Sequence, residues 1–183
     1  MDMNEKMLSS ELIFDGNVVH LYKDEVELSN GARSEREYVR HIGAVCVLPL
    51  TDEGEVVLER QFRYPFGEVL IEVPAGKLDA PDEDPAKAAL RELREETGAI
   101  ARELTPLGDF YGSPAILGER VRMFLARGLT FGERELDADE MLDVFRLPLS
   151  EAVELVLDGR IPDGKTQAAI LRVAAMLKKE KTT

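Results

Sequence analysis

Tryptophan is absent from this chain, cysteine occurs once and histidine twice. The single cysteine, Cys46, excludes an intrachain disulfide framework and fits a reducing compartment. It sits in the apolar run Gly43-Ala-Val-Cys-Val-Leu-Pro-Leu50, which reads as a strand buried on both faces, so the thiol is expected in the core. His20 and His41 stand apart, without ligand spacing, and read as structural. Positive charge is also short: 23 Lys and Arg against 36 Asp and Glu leave a net charge of −13. That balance argues against a nucleic-acid partner and against an anionic membrane, because both would be repelled. No apolar run approaches the length of a membrane span. The opening Met1-Asp-Met-Asn-Glu-Lys6 carries acid and lacks the apolar stretch of a secretory signal. A cytoplasmic protein is expected.

The composition that remains is globular, 44% hydrophobic and 32% charged over 183 residues, with length enough for one substantial core. Strands are expected at Val18–Leu28 and Ser34–His41, joined by the turn signal Ser29-Asn30-Gly31. Further strands are expected at 43–50, 55–63, 68–73, 107–111, 121–129 and 143–147. A helix from Pro85 to Thr97 follows Asp84 as N-cap and stops at Gly98. Ser150 is expected to cap a helix reaching Asp158, and a last helix spans about Lys165 to Lys179. The order predicts an α+β fold, a mixed sheet covered by helices on two sides. Residues 1–42 are expected as a separate N-terminal strand layer and 43–183 as the main domain.

The end of the first helix is unusually acidic: Arg91-Glu92-Leu93-Arg94-Glu95-Glu96-Thr97-Gly98. Glu92 and Glu96 stand at i and i+4, so they share one face with Cβ atoms about 6 Å apart. Two carboxylates so placed can share a hard cation such as Mg²⁺ or Mn²⁺. Glu95 can reach the same site or pair with Arg91, and Glu83 can approach from before the helix. On spacing alone a solvated acidic face with Arg–Glu pairs stands as the alternative.

Gly76 to Ile100 resembles the Nudix box, a glycine, five residues, a glutamate, seven residues, then Arg-Glu-aliphatic-any-Glu-Glu-any-Gly-aliphatic. Gly76, Glu83, Arg91, Glu92, Leu93, Glu95, Glu96 and Gly98 match it. Two positions depart: the Gly76–Glu83 loop is one residue longer, which makes Asp82 an alternative to Glu83, and the last aliphatic site is Ala99. The resemblance implies that Glu92 and Glu96 ligate metal with the carbonyl of Ala75, and that Arg91 orients the cluster through Glu95. It implies a Nudix fold, an α/β/α sandwich, and attack of water on a nucleoside diphosphate linked to another group.

Gln61-Phe-Arg-Tyr-Pro65, Glu72-Val-Pro-Ala-Gly-Lys77, Tyr111-Gly-Ser-Pro114, Glu119 and Pro162-Asp-Gly-Lys-Thr166 resemble the bacterial ADP-ribose pyrophosphatases within that family. This resemblance implies Arg63 on the diphosphate, Glu119 in substrate binding and Glu140 as general base. It also implies Arg36 stacking on adenine from a partner subunit, a role in which no tryptophan can serve here. The expected activity is Mg²⁺-dependent hydrolysis of ADP-ribose, a small-molecule nucleotide sugar, to AMP and ribose 5-phosphate by a homodimer that exchanges its N-terminal strands; Mn²⁺ can replace Mg²⁺. The alternatives are a broader nucleoside diphosphate sugar hydrolase, acting for example on GDP-mannose, and a non-catalytic ADP-ribose sensor.

Overall fold

The computed structural model describes residues 2–136, 141–180 and 182. Glu140, the expected general base, lies outside the described residues. The chain divides into two compact units, Met1–Gly43 with Tyr111–Arg120, and Ala44–Phe110 with Val121–Thr183. Residues 111–120, which the sequence expectation left with the second domain, thus cluster with the first.

In the first unit β1 (Glu5–Asp15), β2 (His20–Leu28) and β3 (Arg33–Arg40) form an antiparallel sheet in that order. The expected turn closes β2 onto β3: the Gly31 amide donates to the Leu28 carbonyl at 2.9 Å, and Asn30 accepts from the Ala32 amide at 3.0 Å. The Arg40 guanidinium lies 3.8 Å over the Tyr22 ring and donates to the Tyr38 hydroxyl at 2.9 Å, which couples β2 to β3 through a cation–π contact. β1 was not foreseen as a separate strand. Its eleven residues are all exposed, so no inward-outward alternation marks it.

The second unit is built on a four-stranded mixed sheet in the order β7-β4-β9-β8. β4 (Ala44–Pro49) pairs parallel with β9 (Val121–Phe131) and antiparallel with β7 (Ala75–Lys77). β8 (Ala99–Phe110) pairs antiparallel with β9. The period-2 geometry of a strand sends alternate side chains to two cores. Ala44, Cys46 and Leu48 of β4 and Met123 and Leu125 of β9 enter one core with Ala152, Ile161, Ile170 and Val173. Val45, Val47, Phe124 and Ala126 enter the other with Ala88, Ala89 and Leu93. One helix, α1 (Pro85–Thr97), covers the second face, while α2 (Leu149–Leu157) and α3 (Gly164–Glu180) pack against the first. A second antiparallel sheet, β10-β5-β6, from Leu142–Pro148, Glu55–Arg63 and Glu68–Glu72, adds Val56, Leu58 and Leu147 to the first core. Among the described residues no helix is long and apolar enough to cross a membrane.

Three local expectations change. Gly76, expected at the head of the loop to Glu83, belongs instead to a short strand, because β7 pairs it with Val45. β8 begins at Ala99 instead of residue 107: the left-handed Gly98 (φ 71°) turns the chain straight from helix to strand. Ser150 lies inside the first turn of α2, after Pro148, and no side chain caps that helix.

Candidate metal centre

Helix α1 carries the site, and its ends are fixed by local chemistry. Asp84 accepts from the Ala86 amide at 2.9 Å, and Pro85 occupies the first turn. At the other end the Gly98 amide donates to the Arg94 carbonyl at 2.8 Å. Leu93, fully buried, sets the rotation of the helix on the sheet. That rotation turns Glu92 and Glu96 inward with it, leaving them 9% and 3% exposed. The solvated acidic face is therefore not what these two residues form.

Strand β7 closes the inner side. The Ala75 amide donates to Glu96 Oε2 at 2.9 Å, so the residue expected to offer its carbonyl already touches one of the acid pair. Gly76 stands against the other: a Cβ at that position would lie 2.0 Å from the Glu92 carboxyl carbon. Only glycine lets the backbone approach the carboxylate this closely.

Arg91 gathers the remaining acids. Its guanidinium reaches Glu92 at 2.8 Å, Glu95 at 3.3 Å, and Glu83 and Asp79 both at 3.4 Å. Partial burial works against the charge of Arg91, and the carboxylates led by Glu92 outweigh it and raise its pKa. Glu83 is folded into its own loop, where Oε2 accepts from the Asp79 amide at 2.7 Å. The loop with the extra residue is thus stitched to Arg91 through two of its three acids, Asp79 and Glu83. Glu95 also has its carbonyl engaged, by the Glu135 amide at 3.0 Å.

Among the described residues no three His, Cys, Asp or Glu side chains form a metal-holding group. The donors present are two buried carboxylates and backbone oxygen. Such a set fits a hard divalent cation, which accepts one or two carboxylates and keeps several waters for itself and for substrate oxygens.

A second cluster, missed in the sequence, lies at the end of β6. Glu72 is 2% exposed and accepts from Arg63 through Nε at 2.6 Å and Nη2 at 2.8 Å, a bidentate pair. The Lys165 ammonium also donates to Glu72 and to Asp163 at 3.1 Å. Burial pushes the Glu72 carboxyl upward in pKa, but Arg63 and Lys165 overcome it and hold the group below the usual range. Burial likewise works against Lys165, and Asp163 and Glu72 overcome it, raising its pKa. Glu59, 1% exposed, faces Glu72 directly across the β5–β6 ladder. The signal was available: Val56-Val-Leu-Glu59 and Val69-Leu-Ile-Glu72 each place an acid directly after an apolar run, where burial demands a partner.

The expected site residues thus fall into three places. Ala75, Arg91, Glu92, Glu95 and Glu96 are brought together at α1 and β7. Arg63 lies in the Glu72 cluster, its side chain 36% exposed. Arg36 and Glu119 belong to the first unit, Arg36 paired with Glu5 at 2.6 Å and Glu119 beside His41 at 3.7 Å.

Comparison with known proteins supplies the context for this geometry. Residues 5–39 match the nucleoside diphosphate sugar hydrolase N-terminal domain. The chain is 46% identical over 170 residues to an ADP-ribose pyrophosphatase of Bacillus subtilis (strain 168), covering 92% of this chain and 91% of that protein. It is 44% identical over 168 residues to a methanol dehydrogenase activator of Bacillus methanolicus, covering 91% and 90%. The solved structure of an ADP compounds hydrolase superposes with a TM-score of 0.87 at 26% identity, covering 98% of both chains. With the NUDIX domain matched over residues 39–169, on top of the acid pair and its glycine, the chain belongs to the NUDIX family.

Proposed function

We propose that the protein is a hydrolase that cleaves the diphosphate bond of ADP-ribose to AMP and ribose 5-phosphate. The observation that carries this reading is the buried pair Glu92 and Glu96, held on one helix face against the backbone of Ala75 and Gly76. A relative named ADP-ribose pyrophosphatase, matched over about nine-tenths of its length, supports the substrate class. Nudix hydrolases generally use divalent metal ions, and Mg²⁺, with Mn²⁺ as a substitute, is the cation proposed here. Glu92, Glu96 and the Ala75 carbonyl would hold it, and when bound it would supply Lewis acidity that offsets the diphosphate charge.

The chain's own residues do the rest. Arg91 holds Glu92 and Glu95 in place by hydrogen bonds. Arg63, held by Glu72 and with its side chain 36% exposed, is proposed to contact the diphosphate. Glu140 is proposed as the base that takes a proton from the attacking water. Water oxygen bonds to phosphorus as the bridging P–O bond breaks. Arg36 is proposed to stack on adenine, with Glu119 in substrate binding. The exposed strand β1, bearing Met7, Leu12, Ile13 and Phe14, supports a homodimer. Cys46, buried and unpaired by disulfide, supports a reducing, cytoplasmic setting.

The test is a substrate panel of ADP-ribose, GDP-mannose, ADP-glucose, NADH and diadenosine polyphosphates with Mg²⁺, products identified by chromatography. ADP-ribose should be cleaved fastest, to AMP and ribose 5-phosphate, and Glu96→Gln should lose at least about 100-fold in rate. Faster cleavage of GDP-mannose would overturn the substrate assignment, and no cleavage with Mg²⁺ or Mn²⁺ would overturn the enzyme reading.

A further inference from the structure

Val73 and Pro74 connect β6 to Ala75, the first residue of β7, and each of the three is held by a different element. The Val73 amide donates to Thr166 Oγ1 of α3 at 2.9 Å. The Pro74 carbonyl accepts from the Val47 amide of β4 at 2.9 Å. The Ala75 amide donates to Glu96 of α1 at 2.9 Å. Three consecutive residues are thus tied to a helix, a strand and a second helix, and the last tie ends on the acid pair.

Thr166 is 0% exposed, a position where valine would fill the same volume. Its hydroxyl is nevertheless used twice. It accepts from Val73 and donates to Asp163 Oδ2 at 2.5 Å. The same Asp163 oxygen accepts from the Thr166 amide at 3.0 Å, which caps the start of α3. With both roles filled, the hydroxyl has one orientation. Nothing in the hydrolytic reading above uses these two residues, although Asp163-Gly-Lys-Thr166 stood out in the sequence.

We propose that Thr166, oriented by Asp163, is a positioning residue for the metal centre: by anchoring Val73 it fixes Ala75, and through the Ala75 amide the carboxylate of Glu96. The inference rests on the metal centre of the proposed function. Direct partners of metal ligands typically govern affinity by 10–100-fold, and Thr166 acts from one step further out, through Val73, so its effect is expected at the low end of that range.

The test measures Mn²⁺ binding to metal-free protein by electron paramagnetic resonance of the free ion, with thermal unfolding by circular dichroism alongside. Thr166→Val should remain folded and bind Mn²⁺ roughly 10-fold more weakly, while Thr166→Ser, which keeps the hydroxyl, should stay within about two-fold of wild type. A folded Thr166→Val with wild-type affinity overturns the proposal, and so does a Thr166→Ser as weak as the valine variant. Wild-type protein that binds no Mn²⁺ overturns the metal reading itself, and the positioning role of Thr166 with it. Should Thr166→Val not fold, amide exchange in the wild type decides. The Val73 amide should be at least as protected as that of Ala75, and a better protected Ala75 overturns the proposal.

Discussion

Gly76 has no room for a side chain, and what fills that room is the Glu92 carboxylate, 2.0 Å from where a Cβ would stand. The displaced group is the end of a flexible chain, so Gly76→Ala should swing Glu92 aside rather than unfold the protein. Stability should stay within about 1 kcal/mol of wild type, while Mn²⁺ affinity should fall by roughly 10-fold or more; titration of both proteins side by side checks this, and equal affinities would refute it. Glu72 makes a different prediction, about acid. Arg63 and Lys165 hold its carboxyl below the usual range in the folded state. Its contribution is therefore complete above the unfolded value, about 4.3, and is lost as pH falls through the lower folded value. Denaturant unfolding between about pH 3 and pH 6 should show stability declining in acid, with a shallower decline in Glu72→Gln. An unchanged acid slope in that variant would remove Glu72 as a contributor. Cys46, whose thiol burial pushes up to about 12, takes no part in either effect.

At the scale of elements, α1 shows how much a sequence discloses when every signal agrees. Asp84, Pro85, the alanine- and leucine-rich interior and Gly98 bounded the helix at the residues where it begins and ends. The Glu92–Glu96 spacing placed both acids on one face, but their burial followed only from packing against β4 and β7. Edge and exposed strands were harder. Residues 99–106 carry Arg102 and Glu103, which hid the first half of β8. The uniform exposure of β1 left no periodicity to read. The Glu72 cluster joins residues from β5, β6 and α3, and such long-range pairing has no local signature. Leu93 is the residue through which α1 grips the sheet. Leu93→Ala should cost about 2–5 kcal/mol, and because the acid pair rides on the same helix, Mn²⁺ affinity should fall with it. A loss of stability with metal binding intact would show that the acid pair does not depend on that grip.

For the whole molecule, the exposed apolar side chains of β1 need an explanation in a chain otherwise rich in charge. Ile13 and Phe14 are 49% and 56% exposed, beside an unpaired strand edge that invites a partner. Sedimentation equilibrium at micromolar concentration should give a dimer, and Phe14→Glu should weaken self-association at least about 10-fold, the loss of one apolar anchor. A wild-type monomer throughout that range would refute it. Order of synthesis also bears on the site. Chains emerge from the ribosome N-terminus first, and Thr166 follows Val73 by 93 residues. Glu92, Glu96 and Gly76 are all present long before the hydroxyl that steadies the strand beside them. The fastening of the centre is thereby made well after its acids, so a nascent or prematurely terminated chain would carry the acids of a hydrolase without it.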